Sequence, residues 1–187
     1  MNELESDLPQ VYLNPGEVHL ARSPTLLRTI LGSCVGITFW CGRLASGALC
    51  HAMLPRYPQH SPGELKPSER WRYVDFCIRE LARQFEALGA RRSEVEIKLF
   101  GGADVLPIHA VAALPRTTVG QLNCEMAIEV LQLEGLKIVA SDLGGSAGRT
   151  IQFHTGNGEV LLRRLARPIF EESMSRNEML FPTNSEL

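Results

Sequence analysis

A thiol and an imidazole on either side of a short apolar hairpin are the residues in this sequence best placed to do chemistry. Cys34 opens the run Val35-Gly36-Ile37-Thr38-Phe39-Trp40, and His51 lies in a second apolar run, residues 48–54, stopped by Pro55. Between them Cys41-Gly42-Arg43-Leu44 reads as a turn, with Gly42 free to take φ > 0. If the turn centres on Gly42-Arg43, Cys34 and His51 stand directly opposite each other and share a face. The thiolate is the attacking form of cysteine, and an imidazolium beside it would stabilise it near neutral pH. A core cysteine and a structural histidine would show the same spacing, and a one-residue slip of register would part the two faces. Spacing alone leaves both readings open.

Other constellations fit their chemistry less well. Zinc held by Cys34, Cys41, Cys50 and His51 fails on geometry, because Cys50 and His51 are adjacent on a strand and point to opposite faces. Residues 144–148, Gly-Gly-Ser-Ala-Gly, resemble a phosphate loop in composition, but they lead into a strand and lack a following lysine. That stretch reads as a structural turn. His109 and His154 have no acid or nucleophile partner in sequence, and His19 and His60 read as solvated.

The elements that must position the pair follow from periodicity. Residues 18–20 and Leu26–Leu31 precede the hairpin, and residues 56–69 carry the prolines and charges of a surface loop. Val74, Ile78, Leu81, Phe85 and Leu88 fall on one stripe and predict a helix over 71–88, with Gly89 as its stop. Residues 95–100 alternate as a half-buried strand that runs into Gly101-Gly102-Ala103. Two glycines there allow either close approach of a substrate amide or a tight turn. A second helix is predicted over Val119–Leu133, then a strand over 136–140, and a hairpin of Arg149–His154 with 159–165 around Thr155-Gly156-Asn157-Gly158. This order predicts an α+β fold: a mixed or antiparallel sheet core, a layered sandwich, with two main helices packed on one face. One domain is expected over 11–167, with a flexible N-terminus over 1–10 and a C-terminal tail over 168–187.

Composition narrows the partners. A formal charge of -2 gives no basic surface for nucleic acid or an anionic membrane, and no apolar run reaches membrane-spanning length. Five cysteines, an odd number with no C-x-x-C, point to reduced thiols and a cytoplasmic setting rather than a disulfide framework.

With its motifs in this order, the chain resembles the chemoreceptor glutamine deamidase family, CheD. The likeness is carried by Leu31-Gly32-Ser33-Cys34-Val35-Gly36, His51-Ala52-Met53-Leu54-Pro55, Phe100-Gly101-Gly102-Ala103 and Val119-Gly120-Gln121-Leu122-Asn123. It continues through Gly144-Gly145, Gly148-Arg149, Thr155-Gly156 and the strand at 160–165, and so covers roughly residues 11–166. The resemblance implies hydrolysis of selected glutamine side-chain amides on methyl-accepting chemotaxis receptors to glutamate and ammonia, with neither metal nor organic cofactor. Cys34 falls on the family nucleophile and His51 on its histidine. The family threonine falls nearest Thr29, although the spacing of some relatives would align Arg28. Ser33, through the backbone N–H groups around it, and Gly101 and Gly102 are the expected substrate-binding residues. Some family members also bind a CheC-type phosphatase, and the site layout is similar to that of bacterial toxin deamidases. The competing expectations are a non-catalytic receptor- or phosphatase-binding module, and another thiol chemistry such as proteolysis or transglutamination.

Overall fold

The computed structural model describes residues 8–58, 66–104 and 117–165. The expected tail over 168–187, most of the expected flexible N-terminus, and the histidines at 60 and 109 lie outside the described residues. The strands are β1 (Gln10–Tyr12), β2 (Val18–Ala21), β3 (Leu26–Leu31), β4 (Val35–Cys41), β5 (Ser46–Ala52), β6 (Glu96–Gly101), β7 (Lys137–Leu143), β8 (Arg149–His154) and β9 (Val160–Arg164). The main helices are α1 (Val74–Ala87) and α2 (Val119–Leu133). Regular structure begins within the stretch set aside as terminal, since the Pro9 carbonyl accepts from Leu26 N–H and Gln10 opens β1.

The strands divide into two sheets. One runs β1-β3-β8-β9 and the other β2-β5-β4-β6-β7. Both are mixed, because β1 lies parallel to β3 and β7 parallel to β6, while the other pairs are antiparallel. The α+β layered sandwich is therefore present, with α1 and α2 on one face of the five-stranded sheet and the four-stranded sheet on the other. Each interface has its own core. Val35, Ile37, Phe39, Cys50 and Leu99 meet Ile78, Leu81, Phe85, Ala127 and Leu131 on the helix side. Leu49 and Phe100 meet Leu27, Leu31, Ile151 and Phe153 between the sheets. A strand covered on both faces needs no polar alternation, and all seven residues of β5 are buried.

The β4–β5 turn departs from expectation. Gly42–Leu44 forms a 3₁₀ turn, and Ala45 takes the left-handed conformation at φ 45°, donating its N–H to the Gly42 carbonyl. The closing pair is Cys41 with Ser46, so the turn sits one residue later than a turn centred on Gly42-Arg43. His51 consequently opposes Gly36 and not Cys34. The opposing partner moves by two residues, one full period of the pleat, which preserves facing while removing direct opposition. Gly42 does not use its freedom; among the described residues, Ala45 is the one non-glycine with positive φ.

The glycine-rich stretch 144–148 closes around a buried arginine. Arg149, whose side chain is 1% exposed, gives Nη1 to the Asp142 carbonyl and to Asp142 Oδ1 (2.6 Å), and Nη2 to the carbonyls of Gly144 and Ala147. Gly144 N–H in turn donates to Gly101 O, and Asp104 N–H to Gly145 O. One guanidinium thus joins β8 of the first sheet to the ends of β6 and β7 in the second. Arg149→Met would strand these carbonyls and one carboxylate, and we expect it to cost about 3–5 kcal/mol of unfolding free energy. Arg164, 61% exposed on the same Asp142, should cost about 1 kcal/mol or less when changed to Met. Urea denaturation of the two variants makes the comparison; equal losses would contradict the buried-clamp account.

Candidate active site

Between β3 and β4 the chain leaves the four-stranded sheet and enters the five-stranded one. Gly32, Ser33 and Cys34 make that crossing in three residues. A segment so short has no ladder of its own, and its carbonyls find partners elsewhere. The Gly32 carbonyl accepts from Ala103 N–H and the Cys34 carbonyl from Gly102 N–H, both at 2.8 Å. The Ser33 carbonyl accepts from Asn123 Nδ2 at 3.0 Å. The end of β6 and the first turns of α2 therefore grip the cysteine turn.

Close packing explains why glycines stand at the grip. Gly101 and Gly102 have φ of 109° and 67°. A Cβ on Gly101 would collide with the Cys34 carbonyl oxygen, and one on Gly102 would collide with Cys124 Sγ. A Cβ on Gly120 would come within 2.6 Å of the Gly102 carbonyl oxygen. What the Gly101-Gly102 pair makes room for within the chain is a tight approach of backbone to backbone beneath Cys34.

His51 is 2% exposed and faces the gap between the sheets. Its neighbours on that face are Leu49 and, across the ladder, Gly36, whose lack of a side chain leaves room for Leu31 and Ile151 of the opposite sheet. Thr29 comes from the opposite sheet, inward-facing between Leu27 and Leu31 and fully buried. Its Oγ1 lies 2.7 Å from His51 Nδ1 and donates to the Leu13 carbonyl at 2.8 Å. A hydroxyl has one proton. With it committed to Leu13, Oγ1 accepts, so neutral His51 carries its proton on Nδ1 and keeps Nε2 as the lone-pair nitrogen. Nε2 is buried and, among the described residues, has no hydrogen-bond partner. Arg28, the other candidate for the threonine position, faces outward and donates to Gln152 Oε1 at 2.9 Å. The backbone of His51 is pinned as well, its N–H donating to Glu17 O and its carbonyl accepting from Gly16 N–H. Cys34 is half-buried at the same end of the sandwich, in the cluster between the sheets.

A family model described as CheD chemotactic sensory transduction matches residues 53–164. A protein of Geobacter sulfurreducens named "Probable chemoreceptor glutamine deamidase CheD 2" is 42% identical over 160 residues, covering 86% of this chain and 92% of that one. Proteins named "Probable chemoreceptor glutamine deamidase CheD" from Maridesulfovibrio salexigens and Pseudomonas fluorescens are 36% and 37% identical. They are matched over 91% and 87% of this chain and 100% and 89% of their own. The chain belongs to the CheD family. The family model begins after both Cys34 and His51, whereas alignments this long within 187 residues take in both.

In this CheD chain the electrostatics around Cys34 and His51 differ from the expected thiolate–imidazolium pair. Burial pushes the Cys34 thiol above its ordinary range, with only its own backbone N–H pulling the other way. Burial likewise holds His51 below the usual imidazole value, against smaller opposing pulls from the Leu13 carbonyl and the Glu17 charge. Both causes favour the uncharged form of the group they act on. Sequence reasoning also passed over Asn123 as an individual residue. Its signal was a polar residue on the apolar face of α2, in step with Gly120, Ala127 and Val130.

A histidine held below its unfolded-state pKa makes the unfolded chain bind more protons as pH falls through the ordinary imidazole range. Stability contributed here is present at neutral pH and is lost as pH drops below about 6.5 towards the folded value. We expect the loss of unfolding free energy between about pH 7.5 and about pH 5.5 to be larger in the wild type than in His51→Gln. Denaturant titrations at the two pH values read the difference; identical pH slopes would show that His51 is not held neutral.

Proposed function

We propose that this CheD chain hydrolyses selected glutamine side-chain amides on chemotaxis receptors to glutamate and ammonia, with Cys34 as nucleophile, His51 as acid–base and Thr29 as the residue that fixes the His51 tautomer. The observation that carries the reading is the buried Thr29–His51 contact at the mouth of the Cys34 crossing. It occurs in a chain aligned over most of its length with proteins named for this activity. The receptor as substrate, the cytoplasm as the setting, and a CheC-type phosphatase as a second partner belong to the same reading. Five free thiols agree with a reducing compartment, and among the described residues no helix is long and apolar enough to cross a membrane.

The chemistry follows from two neutral groups. As the thiol approaches the carboxamide carbon, its proton passes to His51 Nε2 and the S–C bond forms. Charge collects on the former carbonyl oxygen, and the N–H groups of the Ser33–Cys34 turn are the donors assigned to receive it. The proton on Nε2 then passes to the amide nitrogen, the C–N bond breaks and ammonia leaves. Water attacks the thioester while Nε2 accepts its proton, the S–C bond breaks, and the proton returns to sulfur. Neutrality at rest suits this sequence, because the proton taken from sulfur is the one the leaving nitrogen needs. Thr29 keeps Nδ1 protonated throughout, so Nε2 alone exchanges protons. Gly101 and Gly102 serve the substrate through the turn they support.

Cys34→Ala should abolish ammonia release from receptor cytoplasmic fragments with the fold retained. Cys41, Cys50, Cys77 and Cys124 should each tolerate alanine with activity largely kept. Thr29→Val, which keeps shape and removes the hydroxyl, should lower kcat on the order of 10²-fold, while Thr29→Ser keeps most of it. Mass spectrometry of intact receptor separates the alternatives: deamidation leaves the chain uncut and uncrosslinked, proteolysis shortens it, and transglutamination joins it to an amine. A binding module would give none of these. Receptor left unchanged by wild type, or full turnover in Cys34→Ala, would overturn the reading.

A further inference from the structure

We propose that Asn123 is a positioning residue for this reaction, acting as a side-chain rung that sets the distance between the crossing that carries Cys34 and the chain that leaves β5 just after His51. The inference rests on the reading of Cys34 and His51 as nucleophile and acid–base. The β4–β5 ladder ends at the pair Val35 and Ala52. Beyond it the two chains part. Cys34 turns toward the other sheet, and Met53 and Leu54 give their N–H groups to the Arg72 carbonyl. What remains in the gap is a pair of acceptors, the carbonyls of Ser33 and Met53, and two carbonyls cannot bond each other. The Asn123 amide fills the need: its Nδ2 donates at 3.0 Å to each. One acceptor lies immediately before Cys34 and the other two residues after His51.

The geometry also fixes the orientation of the amide. Both neighbours are carbonyl oxygens, so the NH₂ group must face them and Oδ1 must point away. Oδ1 is buried and, like His51 Nε2, finds no hydrogen-bond partner among the described residues. An asparagine retained only to fill space would be replaceable by leucine at a gain, since an orphaned buried acceptor is costly. A residue kept for its two donors accepts that cost. The anchor itself is firm: Asn123 is fully buried, one turn into α2, whose start is capped by Thr118 Oγ1 accepting from Gln121 N–H. Gly120, one turn before Asn123, packs on the Gly102 carbonyl, so α2 is held against the cysteine turn from two sides.

The test compares Asn123→Asp, which keeps the shape and removes the amide donors, and Asn123→Ala with Thr118→Ala. The last removes the α2 cap and so loosens the same helix without touching either strand. Three quantities are read: Tm, kcat and KM for receptor deamidation, and the rate of iodoacetamide alkylation at the Cys34 peptide, followed by mass spectrometry. The expected result is a fall in kcat on the order of 10- to 100-fold in the Asn123 variants with KM little changed, and an altered alkylation rate. Thr118→Ala should keep both at a similar loss of Tm. Asn123 variants that match Thr118→Ala in kcat and alkylation would overturn the proposal. Should Asn123→Asp fail to fold, Asn123→Ala carries the comparison. If the wild type deamidates no receptor, the functional reading fails, and the alkylation rates still decide whether Asn123 sets the Cys34–His51 geometry.

Discussion

The site depends on how three carbonyls are satisfied where the chain changes sheets. Gly32, Ser33 and Cys34 are too few to form an element, and a crossing without partners would fray and leave the thiol without a fixed position. The carbonyls are taken by Ala103, Asn123 and Gly102, which lie far along the chain. Such contacts require backbone to approach backbone closely, which is why Gly101, Gly102 and Gly120 cluster there and why two of them hold positive φ. The glycine-rich stretch 144–148 belongs to the same construction. Its Gly144 N–H holds Gly101 O, and the buried Arg149 guanidinium holds the stretch.

The second sheet matters for a different reason: it places a hydroxyl against an imidazole in a gap closed to water. On a single exposed sheet His51 would be solvated, would titrate near its ordinary value and would hold no fixed tautomer. Sandwiched between the sheets, it is disfavoured as a cation, and the Thr29 hydroxyl occupies its Nδ1. Leu13 completes the arrangement by accepting the Thr29 proton, and the Leu13–Glu17 segment that supplies this carbonyl also pins the His51 backbone through Gly16 and Glu17. The cost is visible in the raised thiol, since a site dry enough to hold an imidazole neutral also disfavours a resting thiolate.

Much of this was legible in the sequence, and the failures have physical causes. Both helices were found because amphipathic spacing survives in one-sided burial; α2 spans Val119–Leu133 as expected, and α1 falls short of the expected 71–88 by the residues before Val74, which follow a 3₁₀ turn begun at Pro67, and by Leu88, its C-cap. The division into two sheets was not legible. β5, Ser-Gly-Ala-Leu-Cys-His-Ala, is buried throughout, so nothing in its pattern reveals that two different layers cover it. The hairpin register failed because a glycine was given the turn that Ala45 makes in the left-handed region, a conformation alanine seldom adopts. Of the two candidates for the threonine position, strand parity turns Thr29 inward with Leu27 and Leu31 and leaves Arg28 facing outward.

The candidate catalytic residues and those that hold them come from separate stretches of the chain. Thr29, Cys34 and His51 all precede Met53, where the match to the family model begins, while Gly101, Gly102, Asn123 and Arg149 lie within it. Asn123 reaches back 90 residues to Ser33 and 70 to Met53. A hairpin carrying a cysteine and a histidine would therefore not make this site alone. Its strands diverge where the thiol stands, and the groups that restrain the divergence arrive only when β6 and α2 dock. Thiol position is thus a property of the finished fold, set by long-range closure rather than by the local motif.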